Sequence, residues 1–421
     1  MHEVTASIVT IGDELLIGQT IDTNSAFIAQ ELNKIGVWMR RRVAIADDKE
    51  AILTTLADEA EKSNIVIITG GLGPTADDIT KPALCEYFHT ELVRSEEATK
   101  NVENIFKRLN RPLTERNLSQ GLVPAACEVL PNGRGTAPGM YFNQNNVHYF
   151  SLPGVPHEMK GLMHSGVLPK IVSSFELPSV AHRTLLTAGI GESFLADAIQ
   201  DFETALPSHI KLAYLPAYGM VRLRLTAKGK NEAAINKEVD EKFSTLKALV
   251  KEWMVIDEDI PIQEAVFRLL KEKGKTLSTA ESCTGGTIAS LITSIPGSSA
   301  VFNGAVVSYA NAAKEEILDV KAETLKTLGA VSEETVSQMA KGACKKLKTD
   351  YAVATSGIMG PDGDTPEKPV GTVWIGVASK EGKVQTHKAS FRFDRARNVE
   401  LTVHTALNLL RKFVLADTES D

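Results

Sequence analysis

The chain is poor in cysteine, with four in 421 residues, and none stands in the paired spacing of a zinc site. Cys85, Cys127, Cys283 and Cys344 are scattered, which excludes a disulfide framework and fits a reducing compartment. A basic excess is also missing: 46 Lys and Arg against 53 Asp and Glu leave a net charge of -7. That excludes a nucleic-acid binder relying on a broad basic surface, but not a local anion site for a small phosphorylated molecule. No apolar run is long enough to span a bilayer, and Met1–Ala6 lack the basic region and apolar core of a signal peptide. The expected location is the cytoplasm, with no membrane or nucleic-acid partner. There is no fixed-period repeat, and no low-complexity tract beyond a short polar tail. Histidine is missing from every motif of the last third, since His387 and His404 stand apart from them.

What remains is ordinary for a globular protein, with 43% hydrophobic and 24% charged residues. A chain of 421 residues is too long for one core, so two or three domains are expected. The first region alternates strand and helix patterns: Ser7–Ile11, then Phe27, Ile28, Leu32 and Ile35 at helical spacing, then Asn64–Ile68. Asp47 or Asp48 is placed to cap the helix carrying Ile52, Leu53 and Leu56. This order predicts a parallel sheet covered by helices. From about 180 to 255 a smaller α+β unit is expected, with strands at Leu185–Ala188 and Val221–Leu225 and a charged helix at Asn231–Lys251. The last region is again α/β, with strands at Thr276–Thr279, Gly304–Ser308, Tyr351–Thr355 and Thr372–Ala378.

Two acidic pairs, Asp13-Glu14 and Asp77-Asp78, follow the first and second predicted strands. In an open parallel sheet, ligands collect outside the carboxyl ends of the strands. Between strand and helix lies Gly70-Gly71-Leu72-Gly73-Pro74-Thr75, whose backbone could approach phosphate oxygens closely. Carboxylates repel a bare phosphate, so the four acids suggest a bridging hard cation. A tight turn with Asp caps remains the alternative.

In the last third, Ser282 sits where a strand gives way to a helix, followed by Cys283, Thr284, Gly285 and Gly286. Unpaired N–H groups at a helix start can receive an oxyanion or a phosphate. Serine is a weak nucleophile and needs a base. Lys314 is the candidate, since a first-turn cation after an Asn311 cap meets the positive end of the helix dipole. Tyr309 could relay or orient the proton. Individually these residues also read as a helix cap, a surface lysine and a packed tyrosine. The loop Ser356–Pro369, including Gly360, reads as a rigid binding loop, and Arg395 as a partner for phosphate or for a surface acid.

At these residues the chain resembles the CinA family of competence/damage-inducible proteins over nearly its whole length. Gly12-Asp13-Glu14-Leu15, the Gly70–Asp78 segment and Leu152–Pro156 resemble the molybdopterin-binding-type fold. Ala280–Gly286, Tyr309 with Lys314, and Gly357–Gly363 resemble nicotinamide mononucleotide deamidases. The resemblance implies three domains: a layered α/β domain over 1–172, a small KH-type α+β domain over 173–256, and a layered α/β deamidase domain over 257–416. It implies Ser282 as nucleophile assisted by Lys314 and Tyr309, with Thr284, Gly285, Gly286, Gly360 and Arg395 around the substrate. It also implies ADP-ribose cleavage in the first domain. Gly70, Gly71, Gly73 and Thr75 would bind that substrate, and Asp13, Glu14, Asp77 and Asp78 would hold Mg, Mn or Co. The deamidase half would need no cofactor. A homodimer is expected. Lys81 stands where family members more often carry an acidic or neutral residue, and would alter metal occupancy. The middle unit lacks the Gly-x-x-Gly loop of RNA-binding KH domains. The competing expectation is a non-catalytic scaffold that holds a pterin or nucleotide.

Overall fold

The computed structural model describes residues 3–75 and 78–418. Residues up to Val180, with Lys228–Glu232, form one compact unit. Ala181–Ala227 and the chain from Ala233 onward form the second.

The first unit is built on a six-stranded sheet. Its inner strands Thr5–Ile11 and Ile65–Thr69 are buried on both faces, as parallel strands under helices must be, with only Thr and Ser among their apolar residues. Trp38–Ile45 and Val147–Leu152 flank them in parallel. Gly139–Gln144 and Glu128–Leu130 then extend the sheet in antiparallel fashion, so it is mixed rather than purely parallel. Asp48 caps the helix Lys49–Ala60 by accepting from Ala51 N at 2.9 Å, as its position before the apolar stripe predicts.

The second unit holds two sheets. In the four-stranded one, Ile210–Ala217 and Met220–Gly229 form a hairpin beside Ser179–Ala188 and Met254–Ile256. The helix Glu232–Leu249 buries Ile235, Val239, Phe243 and Leu246 at helical spacing. Between Ser179–Ala188 and Ile210–Ala217 lie two short helices, Glu192–Ala198 and Gln200–Thr204.

The five-stranded sheet sets the geometry of the last third. Leu277–Glu281 lies second in it, parallel to the edge strand Phe302–Val307 on one side and to the central strand Tyr351–Gly357 on the other. Thr372–Ser379 and Val384–Ser390 continue it in antiparallel order. Helices Ile262–Glu272, Glu333–Leu347 and Arg395–Thr418 pack against it through an apolar core. A Cβ on Gly342 would lie 2.0 Å from the Leu318 carbonyl oxygen. Glycine there lets the helix Asn311–Leu318, which carries Lys314, end against the helix Glu333–Leu347. Among the described residues no helix is long and apolar enough to cross a membrane.

Candidate active sites

The Ser282 backbone N–H donates to Thr355 O at 3.0 Å, which continues the strand ladder one residue past Glu281. The chain then reverses through Gly285 (φ 61°) and Gly286 (φ 97°), a conformation open to glycine at no steric cost, and enters the helix Thr287–Thr293. Ser282 is thereby left at the carboxyl end of Leu277–Glu281, between the ends of two parallel neighbours.

Lys314 projects into the same place from the first turn of Asn311–Leu318. The cap is Ala310 rather than Asn311, and it offers no side-chain acceptor. Lys314 is only 1% exposed. Its Nζ lies 3.0 Å from Ser282 Oγ, 2.7 Å from Ser308 O and 3.3 Å from Tyr309 O. Three acceptors match the three donors of an ammonium. They also suit the neutral amine, whose two N–H groups serve the carbonyls while its lone pair faces the serine hydroxyl. Burial lowers the Lys314 pKa from the ordinary 10.5, with a smaller opposing effect from Cys283. The Cys283 thiol, by contrast, is pushed up to about 12 by burial and stays protonated at neutral pH.

Tyr309 does not occupy the expected place. Its ring is 67% exposed, and its hydroxyl meets Arg395 Nη2 at 3.4 Å. The direct contact of Lys314 with Ser282 leaves no gap for a phenol to bridge, and Tyr309 orients the lysine through its carbonyl instead. Arg395 also donates to Gly360 O at 2.9 Å, so the structure brings Tyr309, Gly360 and Arg395 together. A guanidinium carries five donors, and those not held here can receive a phosphate.

Asn398 gave no sequence signal, being one polar residue among the charged ones that open the last helix. It is fully buried; its Nδ2 donates to Met359 O (3.1 Å) and Phe393 O (2.8 Å), and its Oδ1 accepts from Phe393 N (3.2 Å). These bonds tie the Gly360 loop to the segment that presents Arg395.

The expected ligand roles of Thr284 and Gly286 need correction. The Thr284 hydroxyl is occupied by Glu281 (2.7 Å) and Thr355 (2.8 Å), and Gly286 N donates to Glu281 at 3.1 Å. Gly285 N reaches back to Ser282 O at 3.3 Å.

The first unit shows the same pattern. Asp78 accepts from Gly73 N (2.7 Å), Thr75 N (2.9 Å) and Thr75 Oγ1 (2.5 Å). Gly70 N donates to Leu152 O at 3.1 Å. The amides of Gly70, Gly73 and Thr75, expected to cradle phosphate, are therefore engaged within the protein, and Asp78 organises the loop. Asp77 lies outside the described residues. Asp13 and Asp47 pair reciprocally, each accepting the other's backbone N–H, at 3.3 and 3.1 Å. Among the described residues no group of three or more His, Cys, Asp or Glu is placed to hold a metal. A cleft of about 130 Å³ opens at this sheet edge, lined by Glu14, Asn24, Thr69, Gly70 and Gly154 among others. The sequence did not mark Asn24. Its Nδ2 donates to Thr69 Oγ1 (3.2 Å) and Gly154 O (2.8 Å), while its buried Oδ1 has no partner.

Lys81 points into the protein, with Nζ donating to Gln120 O at 3.0 Å, and burial lowers its pKa to about 8. Unfolded, the amine keeps its proton up to the ordinary 10.5. Between these values the unfolded chain binds more protons, so stability rises with pH and falls again toward pH 8. Over that window the parent should gain about 3 kcal/mol relative to Lys81→Met, read from urea unfolding at pH 8 and 10.5.

Comparison with known proteins bears on the whole chain. Residues 7–172 match the molybdopterin binding domain family, 182–254 the damage-inducible protein CinA KH domain, and 259–414 the CinA C-terminal domain. The CinA-like protein of Cytophaga hutchinsonii is 46% identical over 97% of this chain and 97% of its own. That of Flavobacterium psychrophilum is 46% identical over 97% of this chain and 98% of its own. The crystal structure of the competence/damage inducible protein CihA from Agrobacterium tumefaciens is 41% identical; the match covers 37% of this chain and 97% of that one, with a TM-score of 0.35. Matched by three domain families and by near full-length relatives at this identity, the chain belongs to the CinA family.

Proposed function

We propose that the last third is an amidohydrolase that converts nicotinamide mononucleotide to nicotinate mononucleotide and ammonia. The observation that carries this is the buried Lys314 Nζ, 3.0 Å from Ser282 Oγ, with two carbonyls to hold an amine in its neutral form. The amine takes the proton as Ser282 Oγ attacks the carboxamide carbon. The tetrahedral intermediate collapses, and ammonia leaves with the proton held by Lys314. Water then attacks the acyl-enzyme, with the same lysine as base, and releases the carboxylate. Arg395, beside Gly360 and Tyr309, receives the substrate phosphate. The enzyme acts in the cytoplasm, as a homodimer.

The first unit, in the same proposal, hydrolyses ADP-ribose to AMP and ribose 5-phosphate. The exposed carboxylates Asp13 and Glu14 are hard oxygen donors of the kind that suit Mg, Mn or Co, and with Asp77 they would hold the ion. The bound ion would supply charge stabilisation at the diphosphate. Asp78 contributes by shaping the Gly70–Thr75 loop next to it. Asp78→Ala removes three hydrogen bonds from that loop. It should reduce AMP release from ADP-ribose by about 100-fold and leave ammonia release from nicotinamide mononucleotide unchanged. If neither product forms with the parent protein, the chain is a binding protein and both assignments fall.

A further inference from the structure

Glu281 immediately precedes the proposed nucleophile, and its side chain is fully buried. A buried carboxylate is tolerated only where donors replace the water it has lost. Glu281 has five such donors. Oε2 accepts from Thr284 Oγ1 (2.7 Å), Gly286 N (3.1 Å) and Ile288 N (3.0 Å), and Oε1 from Thr279 Oγ1 (3.1 Å) and Ala289 N (2.9 Å). One side chain therefore fastens the strand before Ser282, the turn after it and the first turn of the following helix. Its negative charge sits at the positive end of that helix.

We propose that Glu281 is a positioning residue for Ser282: an internal anion that fixes the Cys283–Gly286 turn and so sets the hydroxyl against Lys314. The inference rests on Ser282 being the nucleophile. It has a consequence for the substrate, because the start of the helix Thr287–Thr293 is already filled. The substrate phosphate is therefore received by donors other than these amides, a role open to the Arg395 guanidinium. It also explains why the turn takes a carboxylate rather than an amide. Glutamine would present an N–H₂ group to at least one of Gly286 N, Ile288 N and Ala289 N, donor against donor. Aspartate would keep the charge but draw the oxygens back by one methylene.

The test compares the full-length parent with Glu281→Gln and Glu281→Asp, using nicotinamide mononucleotide and reading kcat, KM and amide exchange. In Glu281→Gln, kcat should fall about 100-fold, as expected when a reacting group moves by about 1 Å. KM should stay within about threefold, because the residue does not touch substrate. Glu281→Asp should lie between the two, and the amides of Gly286, Ile288 and Ala289 should exchange faster in Glu281→Gln than in the parent. A folded Glu281→Gln with parental kcat, a change in KM alone, or unaltered exchange at those amides would overturn the proposal. If Glu281→Gln does not fold, Glu281→Asp decides: a lowered kcat at constant KM supports the proposal, and parental kcat overturns it. Should the parent release no ammonia, the nucleophile assignment fails, and amide exchange alone then decides whether Glu281 holds the turn.

Discussion

Ser282→Ala is expected to lower ammonia release from nicotinamide mononucleotide by at least about 10⁴-fold, the scale seen when a nucleophile is removed. The loss should be purely chemical. The backbone of Ser282 is held by Thr355, and its Oγ is bonded only to Lys314, which keeps the Ser308 and Tyr309 carbonyls after the change. Stability should therefore fall by no more than about 1 kcal/mol, the usual net worth of one hydrogen bond. Cys283 cannot take over, because its buried thiol, pushed up to about 12, offers no thiolate at neutral pH. AMP release from ADP-ribose should be unaffected. A residual deamidase rate within tenfold (~) of the parent would place the nucleophile elsewhere.

Lys314→Met is expected to cost about 10³- to 10⁴-fold in kcat/KM, since general-base assistance is lost and the hydroxyl keeps its proton. Arginine should not rescue it, because a guanidinium holds its proton throughout the accessible range. Met also leaves the Ser308 and Tyr309 carbonyls without the donor they had, a loss of about 1–3 kcal/mol in stability. The pH dependence has a definite sign. Burial lowers the Lys314 pKa below 10.5, and only the deprotonated form is a base. The rate must therefore rise with pH and level off above a midpoint that lies below 10.5. Stability changes in the same direction. Between the folded and unfolded pKa values of Lys314 the unfolded chain binds more protons, so raising the pH through that window relieves the cost of burying the charge.

Much of this architecture is legible in the sequence because apolar runs decide it. The buried strands Ile65–Thr69 and Tyr351–Gly357 follow from short apolar runs closed by Gly, Ser or Thr, and Thr5–Ile11 and Leu277–Glu281 from apolar residues mixed with Ser and Thr. The strands that escape notice lie at or beside sheet edges. Trp38–Ile45 carries Arg40, Arg41 and Arg42, and Val384–Ser390 is mostly polar, so neither shows a buried pattern. Spacing could bring Ser282, Lys314 and Tyr309 to one edge, but it could not say which atom of each group is used. Lys314 uses its amine, whereas Tyr309 uses its carbonyl and turns its phenol to Arg395.

The acids show the same limit. Asp78 reads as a metal ligand and Glu281 carries no role in the sequence reading, yet both carboxylates accept backbone N–H groups of the glycine-bearing turns beside them. Buried or constrained N–H groups need acceptors, and a neighbouring acid supplies one before any substrate arrives. A glycine-rich turn with an acid close in sequence is thus as well suited to hold its own chain as to hold a phosphate. Asn398 and Asn24 were unreadable for another reason. Each acts through a partner distant in sequence: Met359 for Asn398, and Thr69 and Gly154 for Asn24.

The pairing of Ser282 with Lys314 is tested most directly by kcat/KM for nicotinamide mononucleotide measured across pH in the parent and in Lys314→Met. The account predicts an ascending limb in the parent with its midpoint below 10.5, and a flat, strongly reduced rate in the variant. A parental rate that does not change with pH, or the same limb persisting without the lysine, would contradict it.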